Sequence, residues 1–185
     1  MSHQTDNDHI RNKWDARYRS THATTDGPAE ILQQNSELIP DNGKALDLAT
    51  GLGGSALFLA SKGLEVYAWD ISPAAIERLN TSAQQQGLTI HSQIRDCIAR
   101  PPEPGNFDLI IVSRFLEREL CPAISAALKP GGLLFYQTYT QKKQGSDGPN
   151  NPHFLLGEGE LQRLFEELKV ISYHESDEAL FVGRK

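Results

Sequence analysis

The chain has 185 residues, 38% hydrophobic and 23% charged, which suits one soluble globular domain with a sizeable core. Its formal charge of −6 and the lack of a basic stripe argue against a nucleic-acid partner. Two cysteines without metal-ligand spacing, a polar N-terminus and no long apolar run argue against a metal site, a disulfide framework, a signal peptide and a membrane span, and so point to the cytoplasm.

Ile10–Arg19 reads as a short helix with Ile10, Trp14 and Tyr18 on one face. That face either packs its aromatics over a sheet edge or roofs a ligand, with Trp14 or Tyr18 against a cation and Arg17 near a carboxylate. Residues 21–27 read as a loop. Pro28–Glu37 reads as a helix with Pro28 in its first turn and Asp26 as its cap, and Pro40–Gly43 is a turn.

The stretch from Lys44 to Ala60 organises the rest. The run Ala45–Ala49 reads as a buried parallel strand, Thr50–Gly54 as a tight turn, and Ser55–Ser61 as a helix opening directly behind it. Gly51 and Gly53 are expected at positive φ, bringing main chain within reach of a ligand. A second strand, Glu65–Trp69, delivers Asp70 at its C-terminal end, where an acid accepts from ribose hydroxyls. This arrangement predicts a nucleoside cofactor.

Beyond it, Ser72 caps and Pro73 opens a helix that runs to Gln86 and stops at Gly87. Leu88–Arg95 is a third strand ending at Asp96-Cys97, and Phe107–Ser113 a fourth whose end, Ser113–Arg118, faces the same site. Pro122–Leu128 is a helix and Leu133–Thr138 a fifth strand. Gln141–Pro152 is polar and long enough for a lid. Glu160–Leu168 is an amphipathic helix, and Lys169–Glu175 and Ala179–Arg184 are two closing strands.

Two cofactors fit the glycine turn. Gly51, Gly53 and Ala56 satisfy G-x-G-x-x-G/A, which leaves a nicotinamide cofactor open. Asp47, four residues before Gly51, suits the ammonium of an amino-acid ligand instead, and Gly53-Gly54 brings backbone close without needing a pyrophosphate. The ordered set LDLATGLGG, VYAWDIS, IRDC, FDLIIVS and LKPGG resembles class I S-adenosylmethionine (SAM)-dependent methyltransferases from Lys44 to Tyr139.

The resemblance implies an α/β fold: a three-layer Rossmann-like sheet of seven strands, mostly parallel, with an antiparallel last strand. It implies SAM as cofactor and S-adenosylhomocysteine (SAH) as product. Asp96 and the Cys97 main chain would serve the adenine, and Ala49, Gly51, Gly53, Gly54, Ile71 and Ser113 would line the ligand beside Asp47 and Asp70. The segment W-D-x-R-Y, with Trp14 and Arg17, resembles tellurite-resistance-like and thiopurine-type methyltransferases, and the tail 148–161 resembles the tellurite-resistance-like ones. Ala49-Thr50 departs from the usual Gly/Ala-Cys, and Ser113-Arg114-Phe115-Leu116 replaces the Asn/Asp-Pro-Pro-aromatic motif of nucleobase amino-methyltransferases.

The expected layout is one domain: a helical lid over 1–43, a cofactor core over 44–139, and a substrate-side loop, helix and hairpin over 140–185. The expected reaction is methyl transfer to a small molecule, such as a thiol or chalcogen oxyanion, by a monomer or homodimer. His153 and Arg114 are the candidate catalytic residues. A SAM-binding sensor without transfer activity is one alternative. The other is a small NAD-dependent oxidoreductase, for which neither a Tyr/Lys pair nor a second domain is evident.

Overall fold

Successive strand residues face opposite sides, so the near-continuous apolar runs of β1 (Lys44–Leu48), β2 (Glu65–Asp70) and β4 (Phe107–Ser113) demand cover on both faces. The computed structural model, which describes residues 3–20, 27–145 and 148–185, supplies that cover in three layers. On one face Ala45, Val66, Leu109 and Phe135 pack with Ile31 and Leu32 of α2 (Glu30–Gln34), Ala56 and Leu59 of α3 (Gly54–Ser61), and Leu79 of α4 (Pro73–Gln85). On the other, Leu46, Ile110, Val112 and Tyr136 pack with Ile124 of α5 (Cys121–Ala127) and Leu161 of α6 (Glu160–Leu164). Residues adjacent in sequence, such as Ala45 and Leu46, belong to different cores. A one-residue register slip would therefore exchange the two cores.

The remaining strands are β3 (Ile90–Ile94), β5 (Leu128–Tyr139), β6 (Lys169–Glu175) and β7 (Glu178–Arg184). The sheet order is β3-β2-β1-β4-β5-β7-β6, and β7 runs antiparallel to both its neighbours. The seven strands and the antiparallel last strand are as expected. The order reverses between β1 and β4, so the chain leaves their C-terminal ends in opposite directions and opens a crevice.

Local rules account for several boundaries. Ser72 Oγ accepts the Ala75 N–H at 3.3 Å, Pro73 is the first residue of α4, and Gly87 follows its end at φ +67°. Elsewhere packing prevails. The helix expected over Glu160–Leu168 stops at Leu164, because Phe165 turns at φ −126° and both it and Leu168 drop into the core. The one expected over Pro28–Glu37 ends at Gln34, followed by a 3₁₀ turn over Ser36–Leu38. The first helix, α1 (His3–Ser20), is longer than the apolar periodicity suggested, with Arg11 bonded to Asp8 at 2.8 Å along its surface. The loop expected over 21–27 and the cap assigned to Asp26 fall on residues 21–26, outside the described residues.

Strand β5 begins earlier than expected. Phe107 pairs with Leu128 and Leu109 with Leu133, so residues 129–132 bulge from the ladder. A Cβ on Gly132 would lie 2.9 Å from the Lys129 carbonyl oxygen, which explains the glycine there. Lys185 closes this corner: its Nζ donates to the Ser125 and Leu128 carbonyls at 3.0 and 2.9 Å.

Candidate functional site

The crevice at the C-terminal ends of β1 and β4 is a cavity of about 550 Å³. Its floor is the β1–α3 turn. Gly51 sits at φ +55° and Gly53 at φ +81°, as the turn requires. Gly53 has a further reason to lack a side chain: a Cβ would lie 2.2 Å from Leu79 Cδ1, so this glycine lets α3 pack on α4. Two residues without that freedom share the left-handed region, Ala49 at φ +56° after β1 and Arg114 at φ +53° after β4. Backbone strain of this kind clusters at functional sites, and both residues line the cavity.

Two buried carboxylates hold the turn. Asp70, at the end of β2, accepts the Gly51 N–H at Oδ2 (2.8 Å) and the Ser72 N–H at Oδ1 (2.9 Å). Asp47 Oδ2 accepts the Thr50 hydroxyl at 2.6 Å and the Ala56 N–H at 3.0 Å, while its Oδ1 takes part in neither bond. Burial pushes the Asp47 carboxyl up to about 7. The bonds from Thr50 and Ala56 pull against that, and the neighbouring Asp70 charge adds to it. Burial also raises Asp70, against the pull of the Ser72 and Gly51 amides. Two buried acids with raised pKa values in one cavity are candidates for a functional site.

The far wall carries Asp96 and Cys97. Asp96 Oδ1 accepts the N–H groups of Ile98 and Ala99 at 2.9 and 3.1 Å. Burial pushes the Cys97 thiol up to about 12, so it offers no nucleophile. Beside them the Arg95 guanidinium lies 3.8 Å over the Trp69 ring and donates to the Arg100 and Pro101 carbonyls.

Helix α1 lies over the cavity. Ile10, Trp14 and Tyr18, at the expected i, i+4 and i+8 spacing, line it together with Arg17. Trp14 and Tyr18 stack at 5.8 Å, and the Arg17 guanidinium lies 5.6 Å from the Trp14 ring. Opposite, Glu30 and Gln33 of α2 and the buried Gln137 of β5 complete the wall. Gln137 Oε1 accepts the Ile31 N–H at 3.0 Å, and its amide donates to Glu178, which also accepts from Arg114 Nε at 3.0 Å.

Every residue expected at the cofactor lines this cavity: Trp14, Arg17, Asp47, Ala49, Gly51, Gly53, Gly54, Asp70, Ile71, Asp96, Cys97 and Ser113. Arg114 lines it too. His153 does not. Arg118 explains why: its guanidinium takes the His153 and Leu155 carbonyls at 2.6 and 3.0 Å and Glu160 at 2.6 Å. These bonds hold the loop against α6, with the His153 side chain exposed and edge-on to Phe154 at 5.2 Å. Nor do the described residues of 140–185, those of the segment Gln141–Pro152 expected as a lid among them, line the cavity. Sequence reasoning missed Gln137, Glu30, Gln33 and Arg95, which carry no local motif.

Residues 45–132 match the family model of a methyltransferase domain. Over that stretch the chain is similar to methyltransferase domains. The strand order and the antiparallel β7 agree with the class I methyltransferase fold of its structural neighbours. A protein studied in the conversion of a disulfide bond into a thioacetal group during echinomycin biosynthesis superposes with a TM-score of 0.77 at 22% identity, over 96% of this chain and 92% of that one. TehB from Haemophilus influenzae does so with a TM-score of 0.72 at 21% identity, over 95% and 66%. In sequence, the chain is 28% identical over 136 residues to the tRNA 5-carboxymethoxyuridine methyltransferase of Escherichia coli strain K12, covering 65% of this chain and 52% of that protein. The chain spans between 20% and 57% of the length of the curated relatives it matches. Among the described residues, no helix is long and apolar enough to cross a membrane, and no group of His, Cys, Asp and Glu could hold a metal ion.

Proposed function

We propose that the chain transfers a methyl group from SAM to a small-molecule acceptor, a soft nucleophile such as a thiol or a chalcogen oxyanion. The observation that carries this reading is the pair of buried acids at the glycine turn, Asp47 and Asp70, both facing one cavity. In this reading Asp70 accepts from the ribose hydroxyls, Asp47 Oδ1 takes the ammonium, and Arg17 serves the carboxylate. Asp96 and the Cys97 main chain serve the adenine, while Ala49, Gly51, Gly54 and Ile71 line the ligand. The fit favours SAM over NAD, because a pyrophosphate would have to settle beside Asp47.

SAM brings an already activated methyl group, so the protein's work is to align the acceptor and exclude water, an advantage of up to about 7–11 kcal/mol. Helix α1 supplies the exclusion, and the faces of Trp14 and Tyr18 suit a positively charged ligand. Ser113, Arg114 and Gln137 flank the acceptor side. Among the described residues that line the cavity there is no histidine. An acceptor already deprotonated at neutral pH, such as a thiolate or an oxyanion, needs no general base, which is why that class is favoured.

The acidic balance of the chain supports a small acceptor over a nucleic acid. Both cysteines are buried free thiols, which suits a reducing cytoplasm. We read the layout as one domain, with 1–43 as the cover and 44–139 as the cofactor core. Residues 140–185 complete the sheet, and the acceptor side moves to the β4 end and α2.

Calorimetric titration with SAM, SAH and NAD, followed by turnover assays with thiols, selenite, tellurite and bulk tRNA, tests the reading. Binding of SAM and SAH but not NAD, with methylation of a thiol or oxyanion, is expected. NAD binding alone would overturn the cofactor, and methylation of tRNA alone would overturn the acceptor class. Binding without turnover on any acceptor would make the chain a sensor.

A further inference from the structure

Helix α1 covers the cavity and is fastened to the start of α4 through Asp15 and through the Tyr18 carbonyl. Asp15 Oδ1 accepts the Ser72 hydroxyl at 2.9 Å and the Ala74 N–H at 2.8 Å, fifty-seven and fifty-nine positions away in the chain. Its Oδ2 accepts from Arg19 Nε at 2.7 Å within α1. One turn further along α1, Arg78 Nη1 of α4 donates to the Tyr18 carbonyl at 2.8 Å. The cover is thus fastened to the first turn of α4 by a carboxylate and to its second turn by a guanidinium.

Ser72 joins this fastening to the ligand site. Its N–H donates to Asp70 Oδ1 at 2.9 Å and its hydroxyl to Asp15 Oδ1 at 2.9 Å. The same Oγ accepts the Ala75 N–H, which limits how the hydroxyl can turn. One serine therefore holds two carboxylates: one forms the floor of the cavity, the other belongs to its cover. The floor acid also fixes the Gly51 amide, and a Cβ on Gly51 would lie only 2.9 Å from the Tyr18 hydroxyl of the cover. Floor and cover meet at both ends of this short path.

We propose that Asp15 is a positioning residue that latches α1 over the occupied cavity, coupling closure of the cover to ligand binding at Asp70 through Ser72. The inference rests on the reading that the cavity takes SAM and SAH. Asp15 touches no ligand in this account. It acts by holding Trp14 and Arg17, its neighbours on α1, over the site, so its loss shortens the residence of the ligand and leaves association nearly unchanged. Two charge-assisted hydrogen bonds are at stake, partly open to water, so the expected cost is a roughly tenfold faster dissociation of SAH.

The test compares wild type with Asp15→Ala, Asp15→Asn and Arg19→Ala by amide hydrogen exchange on the ligand-free protein and by stopped-flow SAH dissociation. Asp15→Ala should speed exchange in α1 and SAH release about tenfold, with exchange in β1 and β4 unchanged. Asp15→Asn retains an acceptor oxygen for Ser72 and Ala74 and should recover most of both effects. Arg19→Ala leaves the Oδ1 bonds in place and should behave like wild type. Unchanged α1 exchange in Asp15→Ala would overturn the latch. Faster α1 exchange with unchanged SAH release would overturn the coupling, as would equal damage from Asn and Ala. If wild type itself binds no SAH, the cofactor reading fails, and the exchange data alone decide whether Asp15 fastens the cover.

Discussion

Gly53→Ala isolates what the tight turn requires of its second glycine. The residue sits at φ +81°, where an L side chain costs about 1–2 kcal/mol. Its Cβ would also lie 2.2 Å from Leu79 Cδ1, 3.0 Å from Cγ and 3.2 Å from Cβ, so a rotamer change at Leu79 relieves only part of the clash. Leu79 is fully buried between α3 and the sheet, and overpacking such a site costs about 1–3 kcal/mol. The sum, about 2–5 kcal/mol, corresponds to a fall of about 4–20 °C in Tm for a chain of this length. Urea unfolding of Gly53→Ala, Leu79→Ala and the double variant measures the two parts separately. Removing the Leu79 side chain makes room for the new methyl, so the double variant should be more stable than additivity requires by about 1–3 kcal/mol. A loss under about 1 kcal/mol for Gly53→Ala, or effects that add within about 0.5 kcal/mol, would refute the packing argument.

Asp70→Ala removes the acceptor for both the Gly51 and the Ser72 amides as well as the proposed ribose acceptor, and should weaken SAH binding at least about tenfold. Unchanged affinity by calorimetry would end the ribose assignment. Asp47 makes binding depend on pH: with its carboxyl at about 7, SAH affinity should fall as pH drops from 8 to 6, because the neutral acid no longer attracts an ammonium. The ligand-free protein should respond in the opposite sense. Its Asp47 holds a proton that the unfolded chain, with an ordinary carboxyl near 3.8, releases, so this group adds stability as pH falls from about 7 towards 4. Asp47→Asn should flatten both dependences, and a variant that keeps either one would refute the assignment. Arg118→Ala should cost about 1–3 kcal/mol of stability in urea melts by releasing the loop at 153–155, and leave SAH affinity unchanged. His153→Ala should leave turnover unchanged, and a large loss would return His153 to the chemistry.

Short-range chemistry was legible without a structure. A glycine turn between an apolar strand and a helix, an acid at the end of the next strand, and Ser72-Pro73 opening α4 all depend on neighbours within a few residues. Sequence can state such rules because backbone sterics and capping act locally. The amphipathic face of α1 was legible for the same reason, and its residues do line the cavity. Whether that face met a sheet edge or a ligand site was not, since periodicity names a buried face and not its partner.

Only the tertiary structure decided the contacts that join distant segments. Asp15 finds Ser72, Gly53 yields to Leu79, Gln137 fixes the Ile31 amide, and Arg118 gathers the His153 and Leu155 carbonyls. That last set holds the backbone at 153–155 against the start of α6 with the His153 side chain exposed, while Phe165 and Leu168 fill the core beyond the end of that helix. Each pairing unites residues more than twenty positions apart, where no local pattern ties one to the other. The chain's own residues determine where a strand, turn or helix can form. Which side chains meet across the crevice is decided when two cores close on one sheet.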